Sequence, residues 1–166
     1  MSDLNATSAA LLGLLQDGAA TGGQLVARAG AGFGAFFSVT RSQVYRELPE
    51  LAEKGLLRLG KRGARSSQQY MITPAGKKAF RQWVNDEAGP DHLRSPLILR
   101  LVHATAVTDK QRKALIESAR ERYNAEFTDA KAAAKAADDA SVKAVAEFAQ
   151  SHAKAALRLI EAIEKA

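Results

Sequence analysis

Apolar positions recur at helical spacing from the first residues of the chain. Ala10, Leu11, Leu14 and Leu15 share one helix face, which predicts a helix over residues 7–17 with Gly18 as its stop. Thr21-Gly22-Gly23-Gln24 carries an N-cap hydroxyl followed three residues later by Gln, the pattern of a capping box. It opens a second helix with Leu25 and Ala29 on one face, ending near Gly30 to Gly34. Phe33 to Ser38 then reads as an apolar loop whose phenylalanines plug a core edge. Thr40-Arg41-Ser42-Gln43 repeats the capping box and opens a third helix to Lys54, closed by Gly55. Val44, Leu48 and Leu51 form its apolar stripe, with Ser42 and Arg46 opposite and Gln43 and Tyr45 on the two flanks. Pro49 lies inside this helix and is expected to kink or shorten it, because it removes a backbone donor.

The period then changes. Leu56 to Leu59 and Gln68 to Ile72 read as two short strands, joined by the basic, Gly-containing loop Gly60 to Ser67; together they predict a β-hairpin. Thr73-Pro74 supplies an N-cap and a proline in the first helical turn. The helix it opens carries Ala79, Phe80, Trp83 and Val84 and ends near Gly89-Pro90, the most punctuated point of the chain. A division into 1–88 and 89–166 follows. The second half reads as wholly helical: an apolar helix over Leu97 to Val107, then a capping box at Thr108 to Gln111. The long helix after it carries Leu115, Ala119, Tyr123 and Phe127 and runs into the Ala-rich stretch 130–137. Asp138-Asp139 is the expected interruption, with Ser141 as the new cap. The last helix has Val142, Val145, Phe148, His152, Leu159 and Ile163 at near-heptad spacing. Helices with such thin apolar faces need each other and a second chain to bury them.

Composition narrows the function. The chain has 166 residues, 34 of them Ala, the strongest helix former. There is no Cys, which excludes a disulfide scaffold, a thiolate metal site and a cysteine nucleophile. Only His92, His103 and His152 remain as imidazoles; His103 and His152 read as core or interface residues, and no metal or cofactor is expected. Nucleophile elbow, phosphate loop, dinucleotide fingerprint and zinc-protease motifs are all missing, so the expectation is a protein that is not an enzyme. No signal peptide or apolar run of membrane-spanning length is seen, and the expected place is the cytoplasm.

The net charge of +6 is unevenly distributed. Residues 40–81 carry 10 basic and 3 acidic side chains, a net of +7, so the remainder of the chain is close to neutral. That concentration suits a phosphate backbone.

Three helices, a strand, a basic loop and a strand, in that order, form a winged helix-turn-helix. The expected fold is therefore mainly α: three helices and a two-stranded β-hairpin wing, followed by a C-terminal helical dimerisation region. In this layout the third helix presents a polar N-terminal face to the major groove. Ser42, Gln43 and Arg46 are the candidates for base edges, since Gln pairs with adenine and Arg with guanine. Thr21, at the amino end of the second helix, Thr40, Arg41 and Tyr45 are candidates for phosphate contact, and Lys61, Arg62 and Arg65 place the wing on the backbone or in the minor groove.

The run Ser42-Gln43-Val44-Tyr45-Arg46-Glu47-Leu48, with Leu51 and Gly55-Leu56-Leu57, resembles the recognition-helix signature of PadR-type transcriptional regulators. So do Tyr70-Met71-Ile72-Thr73-Pro74-Ala75-Gly76, Trp83-Val84, Leu12-Gly13-Leu14-Leu15 with Thr21-Gly22, and Arg94 to Leu101. The resemblance covers residues 7–105; beyond it only the pattern of two long helices agrees. It implies a cytoplasmic homodimer, held by its C-terminal helices, that binds a pseudo-palindromic operator in double-stranded DNA, usually as a repressor. It also implies a small, often aromatic effector, for which Trp83 and Phe80 are the candidate residues. Two positions depart from the family: Gly23 stands where many members have Tyr, and Arg46 where many have Pro. The rival readings are a winged helix used as a protein-interaction module and a non-specific DNA-compacting protein.

Overall fold

A computed structural model describes residues 4–34, 36–62, 67–87 and 95–165. The chain divides into two compact units, Met1–Gly89 and Pro90–Ala166.

In the first unit α1 (Ala6–Leu14), α2 (Gly22–Phe33) and α3 (Arg41–Glu53) enclose the core, and α4 (Pro74–Asn85) follows the wing. Leu11, Leu12, Leu15, Leu25, Val44, Leu48 and Leu51 are almost wholly removed from solvent. Each such aliphatic side chain stabilises the fold by ~1.5–3 kcal/mol relative to exposure. Phe33 and Phe37 pack on this core with ring centroids 6.0 Å apart, whereas Phe36 stays exposed. The expected plug is thus made by two rings, and Phe33 belongs to α2 itself.

All three capping boxes form. Thr21, Thr40 and Thr108 each accept a hydrogen bond from the backbone N–H three residues on, while the following Gln reaches back to the cap. Helix α3 runs through Pro49 to Glu53 without a break, against the expectation of a shortened helix. Pro49 is exposed, so the carbonyl that loses its partner lies on the solvent side, where water can satisfy it. Gly55, at φ 70°, ends the helix: its own N–H donates to the Ala52 carbonyl and that of Leu56 to the Leu51 carbonyl.

The sheet has three strands, one more than the hairpin expected from the sequence. β2 (Leu57–Arg62) and β3 (Gln68–Ile72) pair antiparallel, and β1 (Ala20–Thr21) adds to the other side of β3 through Ala20↔Tyr70 and Thr21↔Gln69. β2 also reaches beyond the expected Leu59. The register shifts between Leu59 and Arg62, and the Gln68 side-chain amide donates to the carbonyls of Gly60 (2.9 Å) and Gln69 (2.8 Å) across this irregularity. Lys61 and Arg62 are therefore strand residues.

Gly76, in the first turn of α4, allows that helix to sit against the end of the wing. A Cβ there would lie 2.2 Å from the Leu56 carbonyl oxygen. Thr73 caps the same turn and also donates its hydroxyl proton to the Gly55 carbonyl oxygen at 2.8 Å.

The second unit is an antiparallel pair of long helices, α6 (Asp109–Ala136) and α7 (Ala140–Lys165), with α5 (Pro96–Val102) packed on α6. The apolar helix expected to reach Val107 ends at Val102 and continues as a short 3-10 turn, Ala104–Ala106. Leu101, Ile116, Ala119, Tyr123, Ala153 and Ile160 form the core. His152 lies edge-on to Tyr123, with centroids 6.3 Å apart, so its interface is the one between α6 and α7. The chain breaks at Asp138-Asp139 as expected, but Asp139 makes the new cap: its carboxylate accepts the Ser141 and Val142 N–H groups at 2.9 Å each. No described helix is long and apolar enough to cross a membrane.

Candidate nucleic-acid interface

Helix α3 has two chemically distinct sides. Val44, Glu47, Leu48 and Leu51 face the core, while Arg41, Ser42, Tyr45 and Arg46 are exposed. The i, i+3, i+4, i+7 spacing of the buried set leaves the polar residues of the first two turns pointing outward. Lys61 and Arg62, at the end of β2, are exposed as well. Arg65 lies outside the described residues, as does His92.

The candidate residues have different degrees of freedom. Gln43 spends its carbonyl oxygen on the cap, accepting from Thr40 N (2.9 Å) and from Thr40 Oγ1 (3.0 Å). Its amide nitrogen is not part of that cap and remains the donor it can offer outward. Thr40 is engaged in the same box and Thr21 in the equivalent one with Gln24. Both hydroxyls therefore organise a helix amino terminus.

Thr21 has a second role: it is the last residue of β1, so the amino end of α2 is tied to the sheet. Tyr45 leans over this end. A Cβ at Gly22 would come within 3.2 Å of the Tyr45 ring, so the glycine makes room for it. The ring is still well exposed. Its phenol and the first N–H groups of α2 thus lie in one neighbourhood, which suits a single phosphate.

The structure adds three residues that the pattern of apolar positions did not single out. Glu47 is 3% exposed and yet charged. Its Oε2 accepts from Ser8 Oγ at 2.6 Å and from Asn5 Nδ2 at 3.0 Å; its Oε1 accepts from Arg46 Nη2 at 3.1 Å and more loosely from Nε at 3.4 Å. Asn5 is at the same time the N-cap of α1, accepting from Ser8 N. Hydrogen bonds from Ser8 first, then Asn5, and with them the Arg46 guanidinium, outweigh burial and hold the Glu47 carboxyl below its ordinary pKa. It is ionised at neutral pH. The one legible signal was its position, three residues after Val44 on the core stripe, where a carboxylate needs buried donors.

Trp83 and Phe80 are brought together, stacked at 6.5 Å with planes 17° apart. They differ in setting. Phe80 packs on the first unit's core, and a Cβ on Gly13 would lie 3.1 Å from its ring. Trp83 is 37% exposed and offers the accessible aromatic surface of the pair. Among the described residues no group of three or more His, Asp or Glu side chains is gathered as a metal would require.

No family model matches the chain. The negative transcriptional regulator PadR of Bacillus subtilis is 23% identical over 124 residues, 72% of this chain and 68% of that protein. Its crystal structure in complex with operator DNA superposes with a TM-score of 0.80 at 20% identity, covering 96% of this chain and 97% of that one. The structure of the same protein with p-coumaric acid gives 0.70 at 19% identity, with 96% of each chain covered. A PadR-like transcriptional regulator of Bacillus cereus gives 0.82 at 20% identity, also over 96% of each chain. In its order of elements, its winged first unit and its paired C-terminal helices, this chain has the winged-helix fold of these PadR-type structures.

Proposed function

We propose that this chain is a sequence-specific DNA-binding transcriptional regulator that acts as a repressor. Residues 1–88 form the DNA-binding domain and residues 89–166 the dimerisation domain. The observation that carries the reading is the division of α3: a buried stripe that fixes its place, and an exposed amino-terminal face of Arg41, Ser42, Tyr45 and Arg46, to which the exposed Lys61 and Arg62 of β2 add charge. An α-helix with that face fits the major groove. Ser42, Gln43 and Arg46 read base edges; Arg41, Tyr45 and the amino end of α2 hold phosphates; Lys61, Arg62 and Arg65 hold the backbone or minor groove beside the site.

A homodimer places two such helices on successive major-groove segments of a pseudo-palindromic operator, about 34–36 Å apart or a multiple of it. The exposed apolar residues of α7, Val142, Val145 and Phe148, support a second chain on that helix. The effector class is a small aromatic acid, as in the p-coumaric acid complex of the Bacillus subtilis protein. The exposed Trp83 indole supports an aromatic ligand. An effector that prefers one dimer geometry releases the operator by shifting the population toward it.

Selection of bound duplexes from a random DNA pool by the full chain tests the proposal. Enrichment of an inverted repeat is expected, with an affinity for it roughly 10³-fold or more above that for random DNA. Arg46→Ala and the pair Lys61→Ala, Arg62→Ala are expected to differ. The first relaxes a base position, and the second weakens every sequence and flattens the salt dependence. A specificity ratio near one would support compaction, and an unaltered affinity in both variants would point to a protein-interaction module.

A further inference from the structure

We propose that Glu47 is a positioning residue: it fixes the orientation of the Arg46 guanidinium for base reading, and Asn5 and Ser8 of the first helix fix Glu47 in turn. This deepens the reading of α3 as a recognition helix and rests on it.

The two carboxylate oxygens of Glu47 have different partners. Oε2 points inward and takes both α1 donors, Ser8 Oγ at 2.6 Å and Asn5 Nδ2 at 3.0 Å. Oε1 points outward and takes only Arg46, through Nη2 at 3.1 Å and Nε at 3.4 Å. Glu47 cannot follow a moving arginine, because its side chain is 4% exposed and held from the far side. Arg46 is 64% exposed and would otherwise sample many rotamers.

A guanidinium is planar, with five N–H donors in a rigid fork. Holding the Nε–Nη2 edge against Glu47 turns the Nη1–Nη2 edge away from the protein. Two parallel donors are then presented together, which is what guanine O6 and N7 accept. The same contact changes the electrostatics. A bare arginine attracts any phosphate, whereas one beside a fixed carboxylate has much of its charge offset. Binding through it then depends more on aligned hydrogen bonds than on charge density.

Asn5 and Ser8 enter specificity by the same path. Asn5 both starts α1 and donates to Glu47, so the fold of the first helix and the pose of Arg46 share one residue.

The test uses the full chain and the operator that it selects from a random pool, with every single-base variant of that operator. Glu47→Gln is the informative variant. Its carbonyl oxygen can still accept from Ser8 and Asn5, but it has no negative oxygen left to hold Arg46. At the base position that Arg46→Ala relaxes by about 10-fold or more, Glu47→Gln is expected to lose about 5-fold in discrimination. In the double variant Glu47→Gln adds nothing further, and the other positions keep wild-type selectivity. Affinity for random DNA is expected to hold or rise.

Wild-type discrimination at that position in Glu47→Gln overturns the proposal. So does a uniform loss at all sequences, which marks a merely structural role, and so does an Arg46→Ala that relaxes no position. Asn5→Ala, read in parallel and checked by thermal melting, keeps the charge pair if Glu47→Gln does not fold. It is expected to relax the same position by about twofold through the lost hydrogen bond, and full selectivity there overturns the proposal. A pool with no sequence enriched by the wild-type chain is a different failure: it removes the recognition reading itself, before any variant is compared.

Discussion

The two units of this chain solve burial in different ways. The first packs Leu11, Leu12, Leu15, Leu25, Val44, Leu48 and Leu51 into a core that solvent scarcely reaches, and presents charge outside it. The second relies on Ala119, Ala153 and a few larger residues, and leaves Ile98, Leu99, Val102, Val142, Val145 and Phe148 in contact with solvent. An Ala-rich seam lets two helices approach closely but removes little apolar area from water. The first unit leaves fewer large apolar side chains exposed, Phe36, Tyr45, Leu59, Trp83 and Val84 among the described residues. The second has apolar surface to spare, as expected of an element finished by association.

Core truncation gives the largest effect and tests the contrast most severely. Leu48→Ala removes a wholly buried side chain from the first unit and should cost about 2–5 kcal/mol. For a unit of this size that corresponds to a melting shift on the order of 10 °C or more. Trp83, the single tryptophan, reports on the first unit, while far-UV circular dichroism draws about equally on α6 with α7 and on the remaining helices. The fluorescence transition is expected to move down, and about half of the helical signal, that of α6 and α7, to stay in place. Parallel movement of both probes would show one cooperative body and dissolve the contrast.

The next effect concerns association. Phe148→Lys places a charge on a side chain that is already 62% exposed, so the helix pair should survive within the chain. Set in an interface, the same charge loses hydration with no partner to meet it. Sedimentation should then show a dimer dissociation constant raised about 10-fold or more, a loss of the size seen when a well-packed interface residue is removed. An unchanged constant would move the interface away from this face of α7.

Much of this organisation is legible in the amino-acid order, for an identifiable reason. The capping boxes at Thr21, Thr40 and Thr108 and the Thr73-Pro74 cap are made by residues within a few positions of each other. Local chemistry decides them. What was not legible depends on distant partners. β1 is two residues long and has no period to detect; only its pairing with β3 makes it a strand. Glu47 meets its partners 39 and 42 residues away in the sequence. Gly60 reads as the start of a loop, but the irregularity supported by Gln68 carries β2 past it to Arg62, which moves Lys61 and Arg62 onto a strand. Tyr45 needed both the absent side chain of Gly22 and the fold of α2 before its neighbourhood could be stated.

The break between α6 and α7 shows how close such a decision can be, and it carries the smallest of the predicted effects. Asp139 and Ser141 are both good N-cap residues by type, so composition alone does not choose between them. The choice is made by where the helix begins. Asp139 Oδ1 accepts from both Ser141 N and Val142 N, so a carboxylate also meets the positive end of the α7 dipole. Ser141 instead lies within the first turn of α7, whose bounds are Ala140–Lys165. Asp139→Ala should therefore cost about 1 kcal/mol. Ser141→Ala should stay within about 0.5 kcal/mol, as for an ordinary surface substitution. Denaturant unfolding followed by far-UV circular dichroism separates the two. A larger loss in Ser141→Ala would shift the start of α7 by two residues.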